Sequence, residues 1–174
     1  MTNSARLLLV NATLELLDAA VEDATRLGEL LGASLADDWA GFPQVLPRLR
    51  ELHAENPHTS WGTVLFLLAT PRTLVGMGGY KGEPSLEGLV EIGYAVAPAF
   101  RGRGLATEAA RALVARAFAD PRVQAVTAHT LAEKNPSTGV LEKAGFRRVG
   151  EQHDPDVGAL WRWQLDRAAG LQGR

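Results

Sequence analysis

The sequence predicts an α+β fold, in which a central mixed, mostly antiparallel sheet is flanked by helices. Three observations support this prediction. Two apolar runs of strand length, at residues 61–69 and 73–80, are separated only by a short turn. A strand–helix–strand unit over residues 88–131 implies one parallel crossover. Strand-like segments at residues 146–149 and 157–165 close the chain.

The first third of the chain predicts one strand and then helices. Residues 5–10 form a short apolar strand, and residues 13–18 are compatible with either a helix start or a second short strand. Apolar residues recur at helical spacing over residues 18–35 and again over 45–53, and Pro43 suits the entry to the second of these helices.

The elements from residue 88 onward follow from clear periodicities. Residues 88–96 alternate, so that Val90, Ile92, Tyr94 and Val96 share one face and Glu91 lies on the other. The segment after this strand carries apolar residues at helical spacing. The elements that follow are predicted as a helix at 105–119, a strand at 123–131 and a helix at 137–144 that Gly145 closes.

Length and composition restrict the class of protein. The chain has 174 residues, of which 46% are hydrophobic and 22% charged, and its net charge is −2. These values are typical of one folded domain, which we predict over residues 1–167, followed by a flexible tail at 168–174. The near-neutral charge argues against a nucleic-acid partner, and no apolar run reaches the roughly 20 residues of a membrane helix.

Cysteine and histidine usage excludes several kinds of chemistry. The chain has no cysteine, which excludes disulfides, thiolate zinc sites and a cysteine nucleophile. Together with an N-terminus that does not resemble a secretory signal, this favours a cytoplasmic protein. The histidines show no ligand spacing, so no metal site is predicted. For His129, on the strand after the crossover, a structural role is favoured over one in a cleft.

The segment that carries chemistry is the turn between the strand at 88–96 and the helix at 105–119. Gly102 and Gly104 allow a sharp turn that leads directly into a helix N-terminus, where unpaired N–H groups and the helix dipole favour anions. Residues 98–122 contain five arginines against two acids, in a chain whose total charge is −2. These features predict a site for a diphosphate-bearing ligand. The segment lacks the Gly-Lys-Ser/Thr of a P-loop and the full glycine pattern of a dinucleotide fold.

Three segments together resemble the GNAT superfamily of acyl-coenzyme A-dependent N-acetyltransferases. Residues 101–106 (Arg-Gly-Arg-Gly-Leu-Ala) are similar to its Arg/Gln-x-x-Gly-x-Gly/Ala signature, and residues 91–96 (Glu-Ile-Gly-Tyr-Ala-Val) to the strand that precedes it. Residues 135–146 resemble its Asn…Ser…Val-Leu-x-Lys-x-Gly-Phe helix. The closing residues 160–165 are similar to the last strand of the branch typified by RimJ and RimL, which acetylate protein N-termini.

The resemblance implies a GNAT-like sheet and an acetyl-coenzyme A cosubstrate. Backbone groups of Tyr94 and Val96 would pair with the pantetheine arm, and Asn135 would assist in binding the cofactor. The N–H groups implied to hold the pyrophosphate belong to Arg101, Gly102, Arg103, Gly104, Leu105, Ala106 and Thr107.

The resemblance also indicates the catalytic residues. Glu91 is the candidate base that takes the proton of the attacking amine, and its apolar neighbours are expected to raise its pKa. A solvated or structurally paired glutamate is an equally good interpretation. Ser137 is the candidate for contact with the leaving thiolate, with Thr138 as the alternative, since one residue rather than the usual two separates Asn135 from Ser137. Either hydroxyl could instead cap the helix.

The acceptor side is indicated by charge and by two aromatic residues. Residues 15–38 contain seven acids and one arginine, which would attract a cationic amine, although a solvated helical face is an equally good interpretation. Trp39 and Phe42, in the loop that follows, are the candidates for an acceptor pocket.

We therefore predict a cytoplasmic N-acetyltransferase that moves acetyl to a primary amine by direct attack. The acceptor is either a protein N-terminus or a small molecule, with no nucleic-acid or membrane partner. The resemblance is also compatible with a homodimer. A non-catalytic acyl-coenzyme A sensor would keep the glycine turn but would not depend on Glu91, and a nucleotide-binding protein would prefer ATP or NAD to coenzyme A.

Overall fold

The computed structural model describes residues 6–170, which form eight strands joined by helices and short turns. The strands are β1 Leu7–Asn11, β2 Ser34–Leu35, β3 Thr63–Leu68, β4 Thr73–Tyr80, β5 Leu89–Val96, β6 Ala125–Leu131, β7 Arg147–Asp154 and β8 Gly158–Asp166. The helices are α1 Leu14–Glu22, α2 Ala24–Leu31, α3 Leu46–Glu55, α4 Leu105–Ala119, α5 Pro136–Lys143 and α6 Arg167–Gly170. This is the predicted mixed, mostly antiparallel architecture.

The predicted helix over residues 18–35 is two helices. Thr13 caps α1 by accepting a hydrogen bond from the Leu16 N–H at 3.2 Å, so residues 13–18 begin a helix and not a strand. Asp23 then takes an extended backbone that ends α1, and its carboxylate accepts the Arg26 N–H at 3.0 Å as the cap of α2. The apolar spacing continues across this break, which is why periodicity alone did not reveal it.

Two further differences concern short or polar segments. Strand β2 has only two residues, Ser34–Leu35, too few to show an alternation. Strand β7 extends to Asp154, beyond the predicted end at residue 149, although its second half is polar. Within the described residues it pairs only with β8, and such an edge strand can carry polar residues. Helix α6 takes up residues 168–170 of the predicted tail, and residues 171–174 lie outside the described residues.

The chain divides into two compact units. The first comprises the described residues up to Gly79 together with Tyr94–Ala109, and the second comprises Tyr80–Gly93 and the residues from Ala110 onward. The single-domain assignment of residues 1–167 stays a prediction.

The first unit is built on β3. Strand β3 pairs antiparallel with β1 on one side and with β4 on the other, and β2 adds to β4 in parallel. One apolar cluster of this unit is built from strands and helices together. Its most deeply buried members are Leu17, Leu27, Leu65, Leu67 and Leu74.

The second unit contains the crossover. Strand β5 pairs in parallel with β6, at Leu89–Glu91 against Ala125–Thr127, and α4 connects the two strands. This confirms the predicted strand–helix–strand unit. Strand β8 pairs antiparallel with both β6 and β7. Within residues 6–170, no helix is long and apolar enough to cross a bilayer.

Candidate functional site

The turn before α4 has the geometry that the glycine pattern predicts. A short 3-10 turn, Pro98–Phe100, leads into four exposed residues, 101–104, and α4 begins at Leu105. Gly102 and Gly104 have φ angles of 72° and 76°, in the left-handed region that side chains disfavour. The two glycines therefore turn the chain so that exposed backbone leads directly into a helix N-terminus.

The N–H groups of this turn are available to a ligand. Among residues 6–170, no group accepts a hydrogen bond from the backbone N–H of residues 102–107. The N–H of Arg101 is different, because it donates to the Pro98 carbonyl at 3.2 Å, so its predicted backbone contact with a pyrophosphate is not open in this conformation. Six consecutive N–H groups at a helix N-terminus, residues 102–107, form a site suited to an anion.

The two arginines of the turn are held by its own carbonyl groups. Arg101 Nε donates to the Val96 carbonyl at 3.0 Å, and Arg103 Nη2 donates to the Ala99 carbonyl at 3.0 Å. The Arg103 guanidinium also lies 5.1 Å from the centre of the Phe100 ring. Both arginines are exposed, so their positive charge adds to the potential of the N–H groups. The Val96 carbonyl, one of the backbone groups predicted to contact the pantetheine arm, therefore already accepts a hydrogen bond from Arg101.

The loop that carries Trp39 and Phe42 packs against the end of β5. Gly41 has a φ of 68°, and a β-carbon there would lie only 2.6 Å from that of Ala95. Trp39 is half-buried and packs against the apolar core, whereas Phe42 is 62% exposed. Of the two aromatic residues, Phe42 is thus the one that presents an apolar surface to solvent.

Some of the acids of residues 15–38 are paired with arginines or cap a helix, and others are left unpaired. Glu15 forms an ion pair with Arg26 at 3.1 Å, Asp18 pairs with Arg50, and Asp23 caps α2. Asp37 and Asp38 are exposed and have no ion-pair partner within the described part of the chain. The unneutralised acids nearest in sequence to Trp39 and Phe42 are therefore these two.

Glu91 lies in a hydrogen-bonded group of three side chains. Its Oε1 accepts hydrogen bonds from Lys81 Nζ at 2.5 Å and from His129 Nδ1 at 2.9 Å. The carboxylate side chain is 25% exposed. No partner of Glu91 Oε2 occurs among residues 6–170. One carboxylate oxygen is thus fixed and the other is left for a further donor.

The pKa of Glu91 is shifted in the direction opposite to the expected one. Burial raises the pKa of Glu91, as the sequence predicted, but hydrogen bonds and electrostatic attraction from Lys81 and His129 outweigh burial and hold it below its ordinary value. The expectation of a raised pKa was wrong because it took account only of the apolar neighbours along the strand. The side chains that lower the pKa, Lys81 and His129, lie 10 and 38 residues away in sequence.

His129 contacts Glu91 through one ring nitrogen and leaves the other without a hydrogen-bond partner among the described residues. Its side chain is 17% exposed, and its Nδ1 carries the hydrogen that Glu91 accepts. The other ring nitrogen, Nε2, is buried without a hydrogen-bond partner.

The contact between Lys81 and Glu91 could have been found from the sequence. Both residues lie on a hairpin between β4 and β5, in which the Lys81 N–H donates to the Glu91 carbonyl at 3.0 Å.

The residues at the start of α5 are engaged in capping. Asn135 Oδ1 accepts the Thr138 N–H at 3.0 Å, and Thr138 Oγ1 donates to the Asn135 carbonyl at 2.8 Å. Thr138 is buried, so its hydroxyl is a capping group and not a good candidate for the thiolate contact. Ser137 is half-buried in the first turn and remains the candidate for that role.

The hydroxyl of Tyr80 is engaged in a structural hydrogen bond. The Tyr80 hydroxyl donates to the Leu113 carbonyl at 2.7 Å, and burial raises its pKa well above the ordinary value. Within the described residues, no group of three or more His, Cys, Asp or Glu side chains is arranged to hold a metal ion.

An open helix N-terminus after a glycine turn, on a mixed sheet with one crossover, defines a class of protein that binds a phosphate-bearing ligand at a strand–turn–helix site. The chain belongs to the GNAT family of acetyltransferases, because the family model for the acetyltransferase (GNAT) domain matches residues 6–147. It is an acetyltransferase whose cosubstrate is acetyl-coenzyme A. The open N–H groups of residues 102–107 and the positive charge of Arg101 and Arg103 fit the diphosphate of that cosubstrate.

Known proteins similar to this chain are acetyltransferases. The uncharacterized N-acetyltransferase YjdG of Bacillus subtilis (strain 168) is 31% identical over 147 residues, which cover 81% of this chain and 86% of that protein. The crystal structure of aminoglycoside acetyltransferase AAC(6')-Ib with coenzyme A has a TM-score of 0.68 at 22% identity, covering 97% of this chain and 99% of that one. Spermidine N-acetyltransferase of Vibrio cholerae with coenzyme A and spermine has a TM-score of 0.68 at 16% identity, covering 95% and 98% of the two chains. These structures confirm the predicted fold, whereas the RimJ/RimL-like branch stays a prediction.

Proposed function

We propose that this acetyltransferase transfers acetyl to a primary amine of a small cationic molecule by direct attack of the amine. The observation that carries the proposal is the unpaired acidic pair Asp37 and Asp38, in the loop that Gly41 packs against β5 and that exposes Phe42. Two exposed acids in the same loop as an exposed aromatic residue favour ligands that carry several amino groups. The solved structures of similar fold include enzymes with aminoglycosides or spermine bound.

The glycine turn is the proposed cofactor site. The N–H groups of residues 102–107, with the charges of Arg101 and Arg103, would hold the diphosphate. Backbone groups of Tyr94 and Val96, at the end of β5, would pair with the pantetheine arm in the manner of an added strand. Asn135 and Ser137, at the start of α5, remain the candidates for further contacts with the cofactor.

Glu91 is the proposed base. Glu91 lies on β5, three residues before Tyr94. Acetyl-coenzyme A supplies the thioester that the amine attacks. Glu91 Oε2 would accept the proton that the amine loses as its nitrogen bonds to the acetyl carbon. The carbon–sulfur bond would break with its electron pair going to sulfur, so that coenzyme A leaves as the thiolate. Lys81 and His129 hold Oε1, which fixes the carboxylate and keeps it ionised at neutral pH.

The pH dependence of catalysis provides a test of this role. Because Lys81 lowers the pKa of Glu91, a Lys81→Gln substitution is expected to raise that pKa and to move the acidic limb of the kcat/KM profile to higher pH. Activity measured from pH 5 to 9 would show the shift, with Lys134→Gln as a control on an exposed lysine. An acidic limb that does not move would contradict the assignment of Glu91.

The acidic loop provides a second test. Replacing Asp37 and Asp38 by Asn is expected to raise the KM for a polyamine about tenfold while the KM for acetyl-coenzyme A stays unchanged. Asn tolerates the positive φ of 54° at Asp38, so the loop should keep its shape. Glu29→Gln, an exposed acid of α2, is the matched control. Equal KM values for wild type and double variant would remove the loop from the acceptor site.

A panel of acceptors tests the proposed substrate class. Thiol release from acetyl-coenzyme A would be measured with spermine, an aminoglycoside and peptides with free N-termini. Small polyamines are expected to give the highest kcat/KM, with a rate that falls as salt is added. Preference for peptides would instead favour the RimJ/RimL-like interpretation.

We also propose a cytoplasmic location, which the absence of cysteine in the chain supports.

A further inference from the structure

Arg6, at the entry to β1, is bound to the glycine turn although about 100 residues separate them in sequence. Arg6 Nη1 donates to the Arg103 carbonyl at 2.8 Å, and Arg6 Nε donates to Glu108 Oε2 at 3.0 Å. A β-carbon at Gly104 would lie 3.5 Å from Arg6 Nη2, so the guanidinium lies against the turn itself. No sequence motif pointed to this residue.

The backbone of Arg6 is fixed, so its side chain can act as a support. The Arg6 carbonyl accepts the Ala69 N–H at 2.9 Å, and the next residue, Leu7, pairs with Leu68 of β3. The guanidinium thus connects an anchored strand to a turn that has few internal hydrogen bonds. Arg6 is 51% exposed at its side chain, so it also presents charge to solvent.

Glu108 places a negative charge near the proposed anion site, and Arg6 forms an ion pair with it. The carboxylate is in the first turn of α4 and is only 13% exposed. Besides Arg6 Nε, the backbone N–H groups of Arg6 and Leu7 donate to its Oε1, at 3.2 and 3.0 Å. A carboxylate suits a helix N-terminus, but the same N-terminus carries the N–H groups proposed to hold a diphosphate. Without a nearby cation, the Glu108 carboxylate would repel that ligand.

We propose that Arg6 is a positioning residue for the diphosphate of the cosubstrate. It holds the turn through the Arg103 carbonyl and neutralises Glu108, so that residues 102–107 can take up an anion. The inference rests on the proposed cofactor site at the glycine turn. It predicts a specific effect on the cofactor and none on the amine.

The test measures coenzyme A affinity by calorimetry in four variants. Arg6→Ala is expected to weaken binding about tenfold or more, and Arg6→Lys, which keeps the charge but cannot make both contacts, by less. Adding Glu108→Gln to Arg6→Ala is expected to recover part of the loss, because the amide can still accept the N–H groups of residues 6 and 7 without carrying a charge. Arg48→Ala, which breaks an exposed arginine–glutamate pair with Glu51, is the control and should bind as wild type.

Steady-state kinetics then separate positioning from a structural role. Arg6→Ala should raise the KM for acetyl-coenzyme A while kcat at saturation and the KM for the amine stay close to wild type. Wild-type affinity in Arg6→Ala, or a loss that Glu108→Gln does not recover, would overturn the inference. If Arg6→Ala does not fold, the ordering of wild type, Arg6→Lys and Arg48→Ala decides it. Should a Gly104 variant lose affinity while Arg6→Ala does not, only this inference fails; should neither variant lose affinity, the proposed cofactor site fails.

Discussion

Substituting Gly104 by Ala is expected to weaken coenzyme A binding about 100-fold. A side chain at a φ of 76° is strained, so relaxation would rotate the peptide groups of the turn away from their present directions. Each N–H lost to a charged phosphate oxygen costs about 1.5–3 kcal/mol. Calorimetry with coenzyme A measures the effect directly, without requiring a known acceptor.

Gly32→Ala is the matched control for this substitution. Gly32 ends α2 at a φ of 57°, and a β-carbon there would meet nothing within 4 Å, so the backbone cost is comparable. Both variants should lose similar thermal stability, but only Gly104→Ala should lose affinity. Equal affinities in the two variants would show that the turn does not bind the cofactor.

Substituting Glu91 by Gln is expected to lower kcat about 100-fold or more, since a positioned base contributes roughly 10²–10⁴-fold. The amide can accept the hydrogen bonds of Lys81 and His129 through its oxygen, but it cannot take up the proton of the amine. The affinity for coenzyme A should not change, because the proposed cofactor site comprises other residues of β5 and the turn that follows it. Initial rates at saturating acetyl-coenzyme A provide the measurement.

Glu87→Gln controls for the loss of a negative charge on the same stretch of chain. Glu87 is exposed and is hydrogen-bonded to Ser85, and no role is proposed for it. A Glu91→Gln variant as active as Glu87→Gln would exclude Glu91 as the base. A sensor without catalytic activity would also be indifferent to Glu91, but membership of the acetyltransferase family does not favour that alternative.

Features of the site that depend on neighbours in sequence could be predicted. Gly102 and Gly104 act within a few residues, and a strand before and a helix after them are visible from periodicity alone. For the same reason the bounds of α4 agree with the prediction at both ends. The face of β5 that carries Glu91 follows from a repeat of two residues, and buried Val90 and Ile92 confirm it.

Features that depend on the register between distant segments could not be predicted. Lys81 and His129 together hold the pKa of Glu91 below its ordinary value. The hairpin could have indicated Lys81, but the contact with His129, 38 residues away on β6, follows only from the register of β5 against β6. The Arg6 contacts join residues that are 97 and 102 positions apart in sequence. The end of α1 at Asp23 was hidden because apolar spacing continues through it.

The central claim is that the backbone N–H groups of residues 102–107 bind the diphosphate of acetyl-coenzyme A. A titration of ¹⁵N-labelled protein with coenzyme A, followed by amide chemical shifts, tests it most directly. The claim predicts that the largest downfield shifts occur at the amides of these residues and are reproduced by ADP, which carries the diphosphate without the pantetheine arm. Shifts concentrated elsewhere, with these amides unmoved at saturation, would contradict it.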